Sequence, residues 1–209
     1  MKKIFIIKFT ILFFANSFAQ KDLSVDAIKD GQKLIKVENQ KHWSVPDYVK
    51  TQFAGNIGLI SVGAGYQLFN KVVYTELLYG FVPKAVSKTD EIHLITIKNT
   101  FPIFRKEIGK NFSISPIAGF ATTYDIGTNS FTTLPGFYPK GYYVPNAFHF
   151  TFFGGAMVHK DFKDLKMIKG ADFYLEVGTV DTYLWYVITS EEVRISDVFS
   201  TSIGINFYF

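Results

Sequence analysis

From Val72 to the end of the chain, apolar side chains return at every second position, the period of a β-strand with two unlike faces. In Val72 to Val82 one face carries Val73, Thr75, Leu77, Tyr79 and Phe81, and the other Tyr74, Glu76, Leu78 and Gly80. Phe112, Ile114, Pro116, Ala118 and Phe120 stand against Ser113, Ser115, Gly119, Ala121 and Thr123. Phe148, Phe150, Phe152, Ala156 and Val158 stand against His149, Thr151, Gly155 and His159, and Phe173, Leu175 and Val177 against Asp172, Tyr174, Glu176 and Gly178. The last stretch sets Phe199, Ile203, Ile205, Phe207 and Phe209 against Ser200, Ser202, Gly204, Asn206 and Tyr208. Two further strands are less regular. Phe53 to Leu68 alternates well only from Ile60 onward, which predicts a bulge near Asn56 to Gly58, and Ile92 to Phe104 is apolar on both faces apart from Thr96, Lys98 and Thr100.

A soluble sheet also alternates, but its polar face points to water and is rich in Lys and Glu. Here the polar face holds Gly, Ser, Asn and a few charges, as a narrow interior would, while the other face is Phe, Ile, Val and Leu with almost no charge. Strands of about ten residues with that contrast, separated by turns, predict an all-β, closed, antiparallel up-and-down transmembrane β-barrel.

The connections alternate in length. Asn70 and Lys71, Arg105 to Lys110 and Asp161 to Gly170 are short; Pro83 to Asp90 is intermediate, and Asp125 to Pro145 and Asp181 to Ser196 are long. With short turns on the periplasmic side, the final strand runs toward the periplasm. A closed up-and-down barrel needs an even number of strands, and the readable ones number seven. The eighth is expected between Gly31 and Trp43; alternatively Lys21 to Lys50 is an amphipathic helix or tail and one of the assigned strands divides differently.

In front of the strands stands MKKIFIIKFTILFFANSFAQ, with Lys2 and Lys3, an apolar stretch from Ile4 to Ala15, then Asn16, Ser17, Phe18 and Ala19. This is the layout of a secretory signal peptide cut after Ala19; Lys8 interrupts the apolar middle, which argues against a spanning helix of about 18 apolar residues. The organisation expected is a signal peptide over 1–19, an amino-terminal segment with a candidate first strand over 20–50, and a barrel over 51–209. The leader also explains the charge. Of 22 Lys and Arg against 18 Asp and Glu, Lys2, Lys3 and Lys8 lie in it, and 19 against 18 remain, a net of +1. No basic stripe is left for nucleic acid. Apolar residues are 48%, aromatics 18% and charged residues 19%, below the quarter or so that is usual for charge and suited to an apolar neighbour. The chain has no cysteine, which excludes disulfides, thiolate metal sites, a cysteine nucleophile and an amino-terminal lipid on cysteine.

Ile203, Ile205, Phe207 and Phe209 resemble the carboxy-terminal signal read by the machinery that inserts barrels into the outer membrane. With the leader and the strands, the mature chain is similar to the small eight-stranded outer-membrane β-barrels of Gram-negative bacteria. The resemblance implies a place in the outer membrane, its lipids and the insertion machinery as partners, and Phe207 and Phe209 as the assembly signal.

Charges on the inward face of a closed barrel must find partners. Loop arithmetic sets Glu76 opposite Lys98, Asp172 opposite His159, Glu176 beside Ser202 and Asp172 beside Asn206, a polar network filling a lumen only wide enough for side chains. A lipid A deacylase or acyltransferase would need a histidine with serine and an acid at the outer rim, and His149 is the candidate, with His93 also near that edge. No serine stands two residues from either histidine, so this reading and a small-solute pore stay behind a structural, adhesion-like or ligand-binding role. The four histidines have no zinc spacing, GAGYQL at Gly63 to Leu68 lacks the third glycine of a dinucleotide loop, and no cofactor is implied. The longest loop carries Phe137, Tyr138, Tyr142 and Tyr143 among Pro135, Pro139 and Pro145, an aromatic group suited to an extracellular glycan or protein ligand, or to a girdle at the lipid interface.

Overall fold

The computed structural model describes residues 44–127, 130–133, 147–163, 165, 167–189 and 198–209. Residues 46–209 make one compact unit, a closed antiparallel barrel. Its strands are β1 (Tyr48–Ala54), β2 (Ile60–Leu68), β3 (Val73–Val82), β4 (Ile92–Pro102), β5 (Lys106–Gly109), β6 (Phe112–Asp125), β7 (Phe148–Asp161), β8 (Gly170–Val180) and β9 (Ser200–Tyr208). Each is hydrogen-bonded to its sequence neighbours, except that β4 pairs directly with β6 and β1 pairs with β9, closing a ring of eight. The four-residue β5 lies outside that ring and adds only to the start of β6.

The faces fall where the alternation places them. Tyr74, Glu76 and Leu78 are buried while Leu77 and Tyr79 are exposed, and along β6, β7, β8 and β9 the face expected to point inward is likewise the more buried one. The regions read as connections carry more structure than expected: α1 (Lys84–Ser87) between β3 and β4, β5 before β6, and α2 (Asp181–Thr189) after β8. No helix among the described residues is long and apolar enough to cross a membrane, which leaves crossing by strands open.

The eighth strand of the ring is β1, Tyr48–Ala54, which pairs with both β2 and β9; Gly31 to Trp43, where that strand is expected from the sequence, lies outside the described residues. The stretch read as one strand from Phe53 to Leu68 divides into the end of β1, a turn, and β2. What looked like a bulge is that turn, with Gly55 at φ 85° and Gly58 at φ 130°, values that side chains with a Cβ rarely adopt. Phe53 and Ile60 both face outward, so the turn shifts the phase from odd to even numbers, and a bulge would do the same. The leader and the four aromatic residues of the long loop lie outside the described residues.

The interior is narrow, and glycine makes room in it for aromatic rings. Tyr48 faces Gly65 across β1 and β2, and Tyr174 faces Gly204 across β8 and β9. A Cβ on either glycine would overlap the facing tyrosine ring. Tyr48, Tyr74, Ile117, Met157, Tyr174 and Tyr208 form one buried cluster, and Ile57, Leu78 and Ala121 a second one. Ile57 belongs to the β1–β2 turn, which folds into the barrel end that also carries α1 and α2; its carbonyl lies against the Gly80 backbone so closely that a Cβ there would collide with it.

Candidate functional site

The chemistry-bearing side chains of the barrel converge in its lumen. Glu76 of β3 is 1% exposed and holds two donors from β1: the Tyr48 hydroxyl donates to Oε1 at 2.7 Å and Lys50 Nζ to Oε2 at 2.7 Å. Lys98 of β4 donates to Glu176 Oε2 at 2.6 Å and to Gln52 Oε1 at 3.0 Å. The Tyr174 hydroxyl donates to the same Gln52 oxygen at 3.1 Å, and Ser202 Oγ to Glu176 Oε2 at 3.3 Å. The ammonium groups also lie over rings, Lys50 at 4.2 Å from the Tyr174 centroid and Lys98 at 4.4 Å from that of Phe153. Two cations and two carboxylates thus form a neutral group, which is the condition for keeping charges out of water.

Glu76 and Lys98 are register partners, as the loop lengths imply, yet they do not form the ion pair. Lys50 occupies Glu76 instead, and Lys98 crosses the lumen to Glu176. Lys50, Gln52 and Tyr48 were not among the expected site residues, because the strand that carries them was not recognised. Their signal is present in YVKTQFA, where Tyr48, Lys50 and Gln52 share one phase and Val49, Thr51 and Phe53 the other.

At the end carrying the short turns, Asp172 is fully buried and accepts from Asn206 Nδ2 at 3.1 Å and from the Tyr208 hydroxyl, with His159 Nδ1 2.6 Å from its other oxygen. His159 Nε2 faces Asp161 at 3.1 Å. The register sets Asp172 against both His159 and Asn206, and Glu176 against Ser202. Of the expected lumen residues, Glu76, Lys98 and Glu176 therefore meet in one group, while Asp172 and His159 make a second one nearer the mouth.

His149 of β7 is half-buried and faces Thr123 in the register. Among the described residues it has neither an acid nor a serine as a partner. His93 is on the outer face: its Nδ1 lies 2.6 Å from the Tyr79 hydroxyl and its Nε2 4.0 Å from Glu91. That brings an acid to a histidine, but opposite a tyrosine and not a serine. Among the described residues no group of three or more His, Asp or Glu side chains could hold a metal ion.

Two spaces remain. One of about 20 Å³ lies beneath the β1–β2 turn, and Asn56 Nδ2, Thr151 Oγ1 and Glu176 Oε1, three buried polar atoms with no hydrogen-bond partner among the described residues, belong to residues that line it; it is large enough for one water molecule. The other, of about 200 Å³, opens at the short-turn mouth between Lys71, Arg105, His159, Asp161, Lys169 and Tyr208. Neither a family model, nor a curated protein, nor a solved structure matches this chain.

Proposed function

We propose that this chain is an integral β-barrel of a Gram-negative outer membrane, exported by its leader and serving a structural, adhesion-like or ligand-binding role. One observation carries the reading: the barrel is inverted relative to a water-soluble protein. Its buried side chains include Lys50, Glu76, Lys98, Asp172 and Glu176, while Leu77, Phe152 and Phe173 are 60%, 52% and 53% exposed. Complete burial of one such side chain is worth about 1.5–3 kcal/mol, so a ring of strands that leaves this whole face open is suited to hydrocarbon and not to water. The dimensions agree. Ten residues of β3, at about 3.4 Å each and a tilt of about 40°, rise about 26 Å, close to the apolar band of about 25 Å on outer-membrane barrels.

The partners proposed are outer-membrane lipids along the outward face, the insertion machinery at Phe207 and Phe209, and an extracellular glycan or protein at Phe137, Tyr138, Tyr142 and Tyr143. A structural role is favoured over a pore because Tyr48, Tyr74, Tyr174 and Lys98 fill the lumen. It is favoured over lipid A acyl chemistry because His149 has no acid or serine beside it among the described residues. The test is fractionation of the expressing cell. The chain is expected in the outer-membrane fraction as a species whose gel mobility changes on boiling, with the lipid A mass spectrum the same with and without it. Recovery as a soluble periplasmic monomer would overturn the reading, and a shifted lipid A mass would replace the structural role with the enzymatic one.

A further inference from the structure

The cleft of about 200 Å³ at the short-turn mouth is lined by both signs of charge, and the two signs are not equally engaged. Its carboxylates have partners. Asp161 Oδ1 lies 3.1 Å from His159 Nε2, and Asp47 Oδ2 accepts the Gln67 backbone N–H at 2.7 Å. Asp172, behind His159, is engaged by His159, Asn206 and Tyr208. The cations are less fully paired. Arg105 donates from Nη2 to the neutral Tyr74 hydroxyl at 3.1 Å, and the Lys71 and Lys169 ammonium groups meet no acceptor among the described residues. These three cations come from three separate connections, β2–β3, β4–β5 and β7–β8, so the closed barrel is what brings them together.

The turn that presents Lys71 is also held in an uncommon form. Phe69, Asn70 and Lys71 have φ of 51°, 56° and 68°, a region that residues other than glycine seldom adopt. Asn70 tolerates this region, but Phe69 and Lys71 hold it at some cost, and positions of this kind concentrate where a side chain has a task. A guanidinium and two ammonium groups lining one cleft supply the kind of donors that hold an oxyanion.

We propose that the short-turn mouth is a binding site for one anionic oxygen group, a phosphate or a carboxylate, held between Lys71, Arg105 and Lys169. A lipid headgroup and a small free anion both offer that chemistry, and two arms of one experiment separate them. The folded full chain in an uncharged maltoside detergent is titrated calorimetrically with inorganic phosphate, and by native mass spectrometry with phosphatidylglycerol. The variants are Lys71→Gln/Lys169→Gln, both at exposed positions, and Lys84→Gln on α1 at the opposite end as the control. Retained boiling-sensitive gel mobility establishes that each variant is folded. The double variant is expected to weaken binding at least tenfold and the control to leave it unchanged. That loss with inorganic phosphate assigns the site to free anions, and with phosphatidylglycerol alone to a headgroup; either supports the proposal. Binding of neither probe, binding that survives the double variant, or an equal loss in the control overturns it. The test does not depend on where the barrel resides, so its failure leaves the membrane reading standing.

Discussion

The Lys50–Glu76 pair offers a sharp test of how the lumen is held together. Glu76→Gln keeps the size of the side chain and an oxygen that can still accept from Tyr48, and removes only the charge. Lys50 Nζ then remains with its side chain 2% exposed and loses its carboxylate at 2.7 Å. Breaking a buried pair from one side costs about 3–5 kcal/mol, and Lys50→Met, which strands Glu76, should cost a similar amount. The double variant removes both charges. It forfeits mainly the charge-assisted hydrogen bond, about 1.5–3 kcal/mol, so the cycle should show a favourable coupling of at least about 3 kcal/mol. The assay is urea unfolding of the barrel in lipid vesicles, scored by the fraction that migrates as folded protein without boiling. Single variants that each cost under about 1 kcal/mol, or costs that simply add, would refute the reading of a dry, neutral charge group. The arrangement would then be a solvated lumen in which ion pairs matter little.

Three further outcomes follow from the same geometry. Gly204→Ala puts a Cβ into the Tyr174 ring and should cost about 1–3 kcal/mol, whereas Gly154→Ala, whose added Cβ would lie 3.8 Å from Ile117 O on an exposed face, should be neutral or slightly stabilising by the same unfolding assay. Thr151→Val should change stability by less than about 1 kcal/mol, because the hydroxyl has no partner among the described residues to lose; a loss above about 2 kcal/mol would show a bridging water in the cavity beneath the β1–β2 turn. Deleting Phe209 should reduce the amount of folded barrel in the outer membrane at unchanged synthesis, measured by immunoblot of boiled and unboiled membranes; equal levels would remove Phe209 from the assembly signal.

Much of the architecture is legible because a barrel strand with two unlike faces carries its orientation in its own sequence. Leu77 against Glu76 or Phe173 against Asp172 fixes which side faces in, and once the turn length is known the register follows, as for Glu76 with Lys98 and Asp172 with His159. The first strand was hidden for a physical reason. Over only seven residues, three of its inward positions are Tyr48, Lys50 and Gln52, whose long polar side chains read as exposed surface until the rest of the lumen is there to receive them. The ion-pair assignment was lost with it. Register tells which Cα atoms are opposite, but a lysine side chain spans the lumen, so Lys98 could only be allotted to Glu176 once Lys50 was known to occupy Glu76. The cleft at the short-turn mouth was equally invisible, since Lys71, Arg105 and Lys169 are far apart in the chain and share no pattern.

The account rests most on what surrounds the outward face, and the absence of cysteine from the sequence makes that measurable without background. Single Leu77→Cys, Phe152→Cys and Phe173→Cys variants, with Lys71→Cys and Lys84→Cys at the two ends, can be spin-labelled and folded into phospholipid vesicles. Collision with oxygen, which concentrates in hydrocarbon, is then compared with collision with a water-soluble nickel chelate. The three strand positions are predicted to favour oxygen strongly and the two end positions to favour nickel. Nickel access at Leu77, Phe152 and Phe173 equal to that at the ends, in a barrel that stays folded, would contradict the claim that lipid and not water is the solvent of that face.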